Sequence, residues 1–462
     1  IKQSQSCRTG EYAGSFRLSP GVSGVWPDSR PYPFIPMKTP RPISSLSRRT
    51  FLKSSTALAL LGLTRGGAAS ASSSRMPSPE ALIRIMDAPV LNLESVKSPV
   101  KIASIELLRH GRNYLVRTRS TDGLEVITVP NPAIMAKAWP VFLGSVVPAY
   151  LKKDARQIEP LQWEVYRAGS NYKMQGQLYW VSVMAVEQAL LELMGHAARR
   201  PMADFFGGAK RRDIPVYYAS GNRGNAPEAE LDYLQQLVAG SGVKAIKFRL
   251  GGRMSRDADS LPGRTEKLIP LVRKQFGDGM TLYADANSSY SPKEGIRIGR
   301  MMEEYRYGFY EEPCEFDNLW GTKQVADALG IPVAGGEQEF SMHRWHWMIA
   351  NRGVDIVQPD LHYGGGFIRA TKVARMAAAA GMSVVPHMSG GGLGYLDVVQ
   401  FASFTPNIGT FQEFKGNATI PVSCPTSSLK CENGMVRCPT GPGFGVTVDP
   451  DFVKEAQIVK AG

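Results

Sequence analysis

From residue 214 onward, short apolar runs that end in polar residues alternate with stretches of helical periodicity. Each run is short enough for one buried strand, and a helix-like segment follows each polar end. Eight runs recur, mostly 20–40 residues apart: Ile214–Ser220, Ala245–Gly251, Thr281–Asn287, Tyr307–Pro313, Ile331–Glu337, Asp355–Asp360, Ser383–His387 and Ile408–Phe414. This alternation predicts a parallel α/β barrel, and barrel enzymes build their sites where the strands end.

The pattern differs on either side of these runs. Lys101–Thr118 alternates like two strands that meet near residues 111–113, while Ala133–Leu151 and Leu178–Arg199 have the apolar spacing of helices. We expect a separate domain over residues 100–210, a polar linker over 72–99 and the barrel over 211–416. The final segment, 417–462, is turn-rich and too short for a core of its own. We expect it to pack back on the first domain.

Residues 1–71 predict an export signal rather than part of the folded core. The segment Ser47-Arg48-Arg49-Thr50-Phe51-Leu52-Lys53 precedes a short apolar run, Ala57–Leu63, and then small residues, which is the order of a signal peptide. The paired arginines resemble a twin-arginine signal. We therefore expect export by the twin-arginine translocase to the periplasm or another extracytoplasmic space, with residues 1–36 as an upstream extension. The apolar run is far shorter than the ~20 residues that span a bilayer, so we expect no stable membrane anchor.

Composition and charge do not alter this predicted domain organisation. The chain has 462 residues, 43% hydrophobic and 21% charged, as in ordinary globular proteins. Residues 1–71 carry ten of the Lys/Arg residues against two acidic ones, which leaves +5 of the formal charge of +13 for the rest. No basic stripe with interleaved aromatics is present, so we expect no nucleic-acid partner. Cys424, Cys431 and Cys438 cluster near the C-terminus, and the sequence leaves undecided whether two of them form a disulfide.

Carboxylates end three consecutive runs of the predicted barrel. These residues are Asp285, Glu311 and Glu337. Because parallel strands end at one rim, we expect the three side chains to converge. An all-oxygen set suits Mg²⁺ better than zinc, which prefers His and Cys. Asp285-Ala286-Asn287 alone is more often a helix cap, and Glu311-Glu312-Pro313 alone could be a solvated turn. Their combination on neighbouring strands predicts a magnesium site.

The remaining strand ends supply an acid–base group and cations. Lys247 and Arg249 end the second run, Asp360 the sixth, His387 the seventh and Glu413 the eighth. His387 can act as base or acid, and Asp360 on the adjoining strand would hold its tautomer and raise its basicity. A hydrogen-bonded core histidine is the alternative. Lys247 and Arg249 are two apart, so they face the same side of their strand.

The order of these motifs resembles that of the mandelate racemase and muconate lactonizing enzyme subgroup of the enolase superfamily, over about residues 100–455. The resemblance implies an α+β capping domain, completed by the C-terminal segment, and a modified TIM barrel, (β/α)7β, without its last helix. It further implies one Mg²⁺ per active site on Asp285, Glu311 and Glu337, a dyad of His387 and Asp360, and a homo-oligomer. A Lys or His base with Mg²⁺ stabilising an enediolate is the known chemistry of this superfamily.

Arg249 decides which reaction we expect. Racemases of this family usually carry Lys at this position, as a base on the face opposite the histidine. Arg is a poor proton acceptor because its pKa lies above ~12. We therefore expect a one-base β-elimination of water from a small carboxylate, an aldonic or aldaric sugar acid, giving a 2-keto-3-deoxy acid. Glu413, if protonated, would donate a hydrogen bond. A structural ion pair between Arg249 and a carboxylate is the simpler interpretation, and it is compatible with the same reaction.

Two other functions remain open. A racemase, epimerase or cycloisomerase would use Lys247 as a second base together with His387. An exported sugar-acid binding protein without turnover is the other alternative. By analogy with the family, Arg112 and Asn113 in a loop of the capping domain and Asn287 at the barrel rim are expected to contact the substrate.

Overall fold

The structure is a computed structural model that describes residues 76–389, 393–416 and 418–460. These residues belong to one folded unit, Ser72–Gly462. The predicted twin-arginine segment and the upstream extension lie outside the described residues.

The described chain begins with a helix, α1 (Pro79–Asp87). The Ser78 side chain accepts a hydrogen bond from Ala81 N, and Pro79 occupies the first turn, where its missing N–H costs nothing. Leu82 and Met86, one turn apart, are buried against two barrel helices. The prediction of a polar linker over residues 72–99 is therefore wrong for this part of the chain.

The capping domain combines an antiparallel sheet with a helical layer. Its elements are β1 (Ile102–His110), β2 (Asn113–Ser120), β3 (Glu125–Thr128), α2 (Pro132–Val141), α3 (Val147–Tyr150), α4 (Ile158–Arg167) and α5 (Gln177–Ala198). The two predicted strands and two predicted helices fall in these places. The stretch Pro132–Tyr150 is long and apolar enough to cross a membrane by length and composition. Here it packs on α5, which also contacts β2 and β3, as part of the helical layer of this domain.

Eight parallel strands and seven helices form the barrel. They are β4 (Asp213–Ala219), α6 (Pro227–Val238), β5 (Ala245–Arg249), α7 (Arg264–Phe276), β6 (Thr281–Asp285), α8 (Pro292–Glu304), β7 (Phe309–Glu311), α9 (Leu319–Ala328), β8 (Val333–Gly335), α10 (Met342–Ala350), β9 (Ile356–Val357), α11 (Phe367–Ala379), β10 (Ser383–Val384), α12 (Gly394–Phe404) and β11 (Gln412–Phe414). Pairing of β11 with β4 and a bridge from Val384 to Ile408 close the ring. The predicted (β/α)7β fold is confirmed.

An aromatic layer fills the barrel below the strand ends. Tyr283 and Phe309 stack with ring centroids 3.8 Å apart, and Tyr217 packs edge-on against Tyr283 at 5.2 Å. Because side chains two apart on a strand face the same side, Asp285 and Glu311 lie one layer above these rings. The aromatic layer is thus the floor of the site.

The C-terminal segment contributes β12 (Val422–Ser423), β13 (Cys431–Glu432), β14 (Met435–Arg437), β15 (Thr447–Val448), α13 (Pro450–Lys454) and β16 (Gln457–Ile458). β16 pairs with β1, as predicted for a segment that completes the capping domain. Gly443 lies so close to α5 that a Cβ on Gly195 would come within 2.4 Å of its nitrogen. β14, however, pairs with β4 and so extends the barrel sheet, which the sequence did not predict. Cys424, Cys431 and Cys438 are free thiols.

Candidate active site

Three carboxylates from neighbouring strands converge inside the barrel rim. Asp285 ends β6, Glu311 ends β7 and Glu337 follows β8, and one oxygen from each lies within 4.8 Å of the others. All three side chains are buried. Buried like charges repel strongly unless cations accompany them. Among the described residues Glu337 Oε2 accepts no hydrogen bond, although His387 Nε2 lies 3.3 Å from it, and this all-oxygen set fits Mg²⁺.

Two basic side chains from β5 contact this acidic set. Lys247 Nζ donates to both Glu311 oxygens at 2.7 Å and lies 3.3 Å from Glu413 Oε1. Arg249 forms an ion pair with Asp285, which is the simpler interpretation given above. Burial alone would lower the pKa of Lys247, but the Glu311 and Glu413 carboxylates outweigh it and raise that pKa. Lys247 is therefore a buried ammonium, and it is absent from the cavity wall.

The predicted dyad is brought together at the neighbouring strand ends. His387 Nδ1 lies 2.7 Å from Asp360 Oδ2. An ionised carboxylate only accepts, so this contact assigns the proton to Nδ1 and leaves Nε2 for proton transfer. The backbone N–H groups of His362 and Tyr363 hold Asp360 Oδ1 at 2.8 and 2.9 Å. Burial lowers the pKa of His387. The Glu337 and Glu413 carboxylates and the Asp360 hydrogen bond raise this pKa by more than burial lowers it, so the net shift is upward.

Glu413 is held as an anion by its surroundings. Its Oε2 accepts the Met388 N–H at 2.9 Å, and Lys247 and Lys415 each lie 3.3 Å from Oε1. Burial opposes ionisation, but Lys247, Lys415 and His387 lower the pKa of Glu413 well below its ordinary value. This geometry favours an ionised Glu413 that accepts hydrogen bonds over the protonated donor considered from the sequence. Glu413 instead positions two ammonium groups.

A cavity of about 380 Å³ opens above these groups. His387 and Lys415 form one part of its wall, with Lys415 Nζ 3.5 Å from His387 Nε2. Arg249, from β5, forms another part, and Glu337 reaches the cavity from the carboxylate set. The cavity thus offers a base, two cations and a carboxylate of the candidate metal set to one small molecule.

Two backbone loops of unusual conformation complete the wall. Asn287, Ser288, Arg253 and Met254 have φ values of 40°, 62°, 62° and 51°, in the left-handed region that non-glycine residues rarely adopt. Cross-loop bonds hold them, including Arg253 N to Ser289 Oγ at 2.9 Å and Met254 N to Asn287 O at 3.0 Å. Such strain costs about 1–3 kcal/mol per residue and clusters at ligand sites.

The loops place one predicted residue and one further cation at the cavity. Asn287, expected at the rim, donates from Nδ2 to Asp285 Oδ2 at 3.0 Å and lines the cavity. Arg253 also lines it, and no described carboxylate lies within ion-pair distance of its guanidinium. The cavity wall therefore includes a cation that is free to bind an anionic ligand.

Arg112 and Asn113 lie away from the cavity, at the turn between β1 and β2. This hairpin packs on the C-terminal segment, where the rings of His110 and Phe452 are 4.3 Å apart and His110 Nε2 lies 3.1 Å from Glu455. Neither residue lines the cavity, and the expectation that they contact the substrate stays a prediction.

Two residues that the sequence reasoning missed carried a readable signal. Gln358 stands two positions before Asp360, and Lys415 two positions after Glu413, so each shares a strand face with a predicted site residue. Gln358 Nε2 donates to Glu311 Oε2 at 2.8 Å. Arg253 lies in an irregular loop, where strand periodicity gives no signal.

Comparison with known proteins places this geometry in a family. Residues 230–452 match the family described as enolase C-terminal domain-like. The arabinonate dehydratase of Saccharolobus solfataricus is 27% identical over 310 residues, 67% of this chain and 80% of that protein. The D-galactarolactone cycloisomerase of Agrobacterium fabrum is 28% identical over 332 residues, 68% of this chain and 84% of that protein.

Comparison with solved structures finds the same fold. A candidate racemase from Roseobacter denitrificans is 32% identical, with a TM-score of 0.71, covering 78% of this chain and 99% of that one. A mandelate racemase/muconate lactonizing protein from Paracoccus denitrificans, complexed with magnesium, is 25% identical with a TM-score of 0.71, covering 79% of this chain and 100% of that one. The chain therefore belongs to the enolase superfamily, and it is an enzyme related to sugar-acid dehydratases, cycloisomerases and racemases.

Proposed function

We propose that the protein is an Mg²⁺-dependent dehydratase that converts an aldonic or aldaric sugar acid into a 2-keto-3-deoxy acid. The residues that would hold the ion are Asp285, Glu311 and Glu337. Once bound there, Mg²⁺ would supply positive charge that stabilises the charge developing on the substrate carboxylate. A relative that is an arabinonate dehydratase and a structural neighbour complexed with magnesium support the proposal.

The observation that carries the proposal is the placement of bases around the cavity. His387 lines the cavity, with Nδ1 engaged by Asp360 and Nε2 lying 3.3 Å from Glu337 Oε2. Lys247 is fully buried, bonded to two carboxylates and absent from the wall, while Arg249 is tied to Asp285 and keeps its proton. Lys415 stands beside His387, so it offers no base on another side of the substrate. A reaction that needs one base fits this wall better than one that needs two.

The chemistry follows from that base. His387 Nε2 removes the C2 proton, and the electron pair of the C2–H bond moves towards the carboxylate. Asp360 stabilises the imidazolium that forms. The C3–O bond then breaks, and His387 returns the proton to the leaving hydroxyl, which departs as water. The resulting enol tautomerises to the 2-keto acid, so one molecule of water is lost and no oxidant is needed.

A racemase, epimerase or cycloisomerase is the second candidate, favoured by relatives such as the D-galactarolactone cycloisomerase. Racemisation needs a proton donor on the face opposite His387. In the described residues, that role would fall to Lys247, which would have to leave Glu311 and Glu413 to reach the substrate.

Screening a panel of aldonic and aldaric acids for keto-acid formation, with Mg²⁺ and with EDTA, tests the proposal. We expect keto acid from at least one acid in Mg²⁺ and none in EDTA. Running the same panel in D₂O separates the two candidates. A racemase returns starting acid deuterated at C2 with inverted configuration, and this result without keto acid would contradict the dehydratase proposal.

We also propose that the protein is exported by the twin-arginine pathway to an extracytoplasmic space and acts there as a homo-oligomer. The Arg48-Arg49 pair followed by an apolar run supports export. Replacing both arginines with lysine should retain the protein in the cytoplasm, as measured by cell fractionation. Light scattering of the folded part measures the oligomeric state, and a monomer would contradict the second proposal.

A further inference from the structure

A second cavity, which we call the aromatic cavity, lies outside the active site. It has a volume of about 310 Å³, and its wall combines residues of α1, α4 and α5 with residues at the start of α10 and α11. It shares no wall residue with the active-site cavity. A volume of about 300 Å³ is at the lower end of those found for small-ligand sites.

Three aromatic side chains, Trp163, Tyr166 and Trp180, form one wall of the aromatic cavity. Tyr166 stacks on Trp180 with centroids 5.6 Å apart and an interplanar angle of 21°. Trp163 follows at 5.7 Å from Tyr166, and 62% of its surface is exposed. An indole this exposed presents a flat apolar face, which a ligand ring with an apolar face would cover favourably.

Two cations from α11 face the same cavity. The Arg369 guanidinium lies 3.6 Å from the Trp180 ring centroid, and no described carboxylate is within ion-pair distance of it. Lys372 Nζ is 3.9 Å from Glu159, whose carboxylate already accepts the Val90 N–H. Burial lowers the pKa of Arg369 to about 10 and lowers that of Lys372 as well. The backbone carbonyls of Gly364 and Phe340 accept from Arg369 Nε and Nη2, and Asp87 and Glu159 also line the cavity. The capacity left for an anionic ligand is therefore that of Arg369 Nη1 and Lys372 Nζ.

Amide groups beside the rings supply neutral hydrogen-bonding capacity. Gln162 Nε2 donates a hydrogen bond to Glu187 Oε2, and Gln175 Oε1 accepts one from the Tyr166 hydroxyl. Within the described chain, Gln162 Oε1 and Gln175 Nε2 have no hydrogen-bond partner, so one acceptor and one donor remain for a ligand. An aromatic acid would leave both unused, whereas a ring that carries hydroxyl groups would use them.

We propose that the aromatic cavity binds a carboxylate-bearing pyranose, that is, a cyclic uronic acid. The apolar face of the ring covers Trp163, the carboxylate lies at Arg369 and Lys372, and ring hydroxyls meet the two amides. The acids proposed for the active site are open chains without such a face. The two cavities therefore take different forms of sugar acid.

Calorimetric titration of the full chain with methyl α-D-galactopyranosiduronate, in EDTA, tests the proposal. The methyl glycoside keeps the ring closed. We expect saturable binding of one molecule per chain, weakened about tenfold or more by Trp163→Ala and separately by Lys372→Met. Trp320→Ala is the matched control, because Trp320 is 61% exposed on α9 and lies outside the cavity. It should leave the affinity unchanged.

Four binding results would overturn the proposal. They are the absence of saturable binding, equal affinity of the Trp163→Ala variant and the parent, tighter binding of benzoate than of the glycosiduronate, and equally tight binding of the neutral methyl α-D-galactopyranoside. A fall in oligomer mass caused by Trp163→Ala, measured by light scattering, would also overturn it, because the aromatic wall would then be a contact between copies of the chain.

Discussion

Replacing Lys247 with Met removes a cation on which two buried carboxylates depend. Its ammonium donates to both oxygens of Glu311 at 2.7 Å and lies 3.3 Å from Glu413, and all three side chains are at most 1% exposed. Removing one partner of a buried pair leaves an uncompensated charge and costs about 3–5 kcal/mol. We therefore expect Lys247→Met to lower the free energy of unfolding at pH 7 by that amount.

Lys415→Met is the matched control, because Lys415 lies at the same 3.3 Å from Glu413 but is 25% exposed. Partial exposure lets water screen that pair, so we expect a cost of about 1 kcal/mol or less. Urea unfolding of both variants, in EDTA, measures the difference. If both variants lost the same free energy of unfolding, burial would not be the reason that the Lys247 contacts stabilise the fold.

The loss of unfolding free energy caused by Lys247→Met should also depend on pH. Burial opposes ionisation of Glu311 and Glu413, but Lys247 lowers the pKa of each below the ordinary 4.5. Their contribution to stability is therefore present above pH 4.5 and is lost as the pH falls through the lowered values. The cost of Lys247→Met should therefore shrink as the pH falls below 4.5, and a cost that grows on this acidification would contradict the assignment.

Three further substitutions test separate parts of the account. Asp360→Asn should lower kcat by about 10²–10⁴ with little change in KM, because His387 loses the carboxylate that holds its tautomer; equal kinetics would contradict the dyad. Arg253→Met should raise KM about tenfold at nearly constant kcat, since a charge-assisted contact to the substrate is lost; a fall in kcat alone would argue for another role. Burial raises the pKa of Glu187 to about 8, so its proton stabilises the fold below pH 4.5 and this contribution fades as the pH rises through 8. Glu187→Gln should therefore flatten the pH dependence of urea unfolding over this range, and an unchanged slope would refute that pKa.

The sequence predicted the residues that strand periodicity controls. Asp285, Glu311 and Glu337 were located because each ends an apolar run, and parallel strands deliver their ends to one rim. His387 and Asp360 followed for the same reason. These features depend on local pattern and on the topology of the barrel, and both can be read from one chain.

Features that depend on long-range packing or on summed charge could not be read in this way. The sequence of α1 has the features of a helix, with Ser78 as its cap and Leu82 and Met86 one turn apart. The helix is stabilised by packing on two barrel helices, and this long-range contact cannot be read from the local sequence. The hairpin that holds Arg112 packs on the C-terminal segment, and the contacting residues His110 and Glu455 are 345 positions apart in sequence. The ionisation of Glu413 depends on cations contributed by three strand ends, so its position on a strand could not reveal it.

The proposed reaction depends on His387, which removes the proton next to the carboxylate of the substrate. The most direct test is the steady-state rate of keto-acid formation by His387→Asn in saturating Mg²⁺, with the best acid of the panel as substrate. We expect a loss of about 10²–10⁴-fold in kcat, with the fold and the Mg²⁺ affinity retained. A folded His387→Asn enzyme that dehydrates the acid as fast as its parent would contradict it.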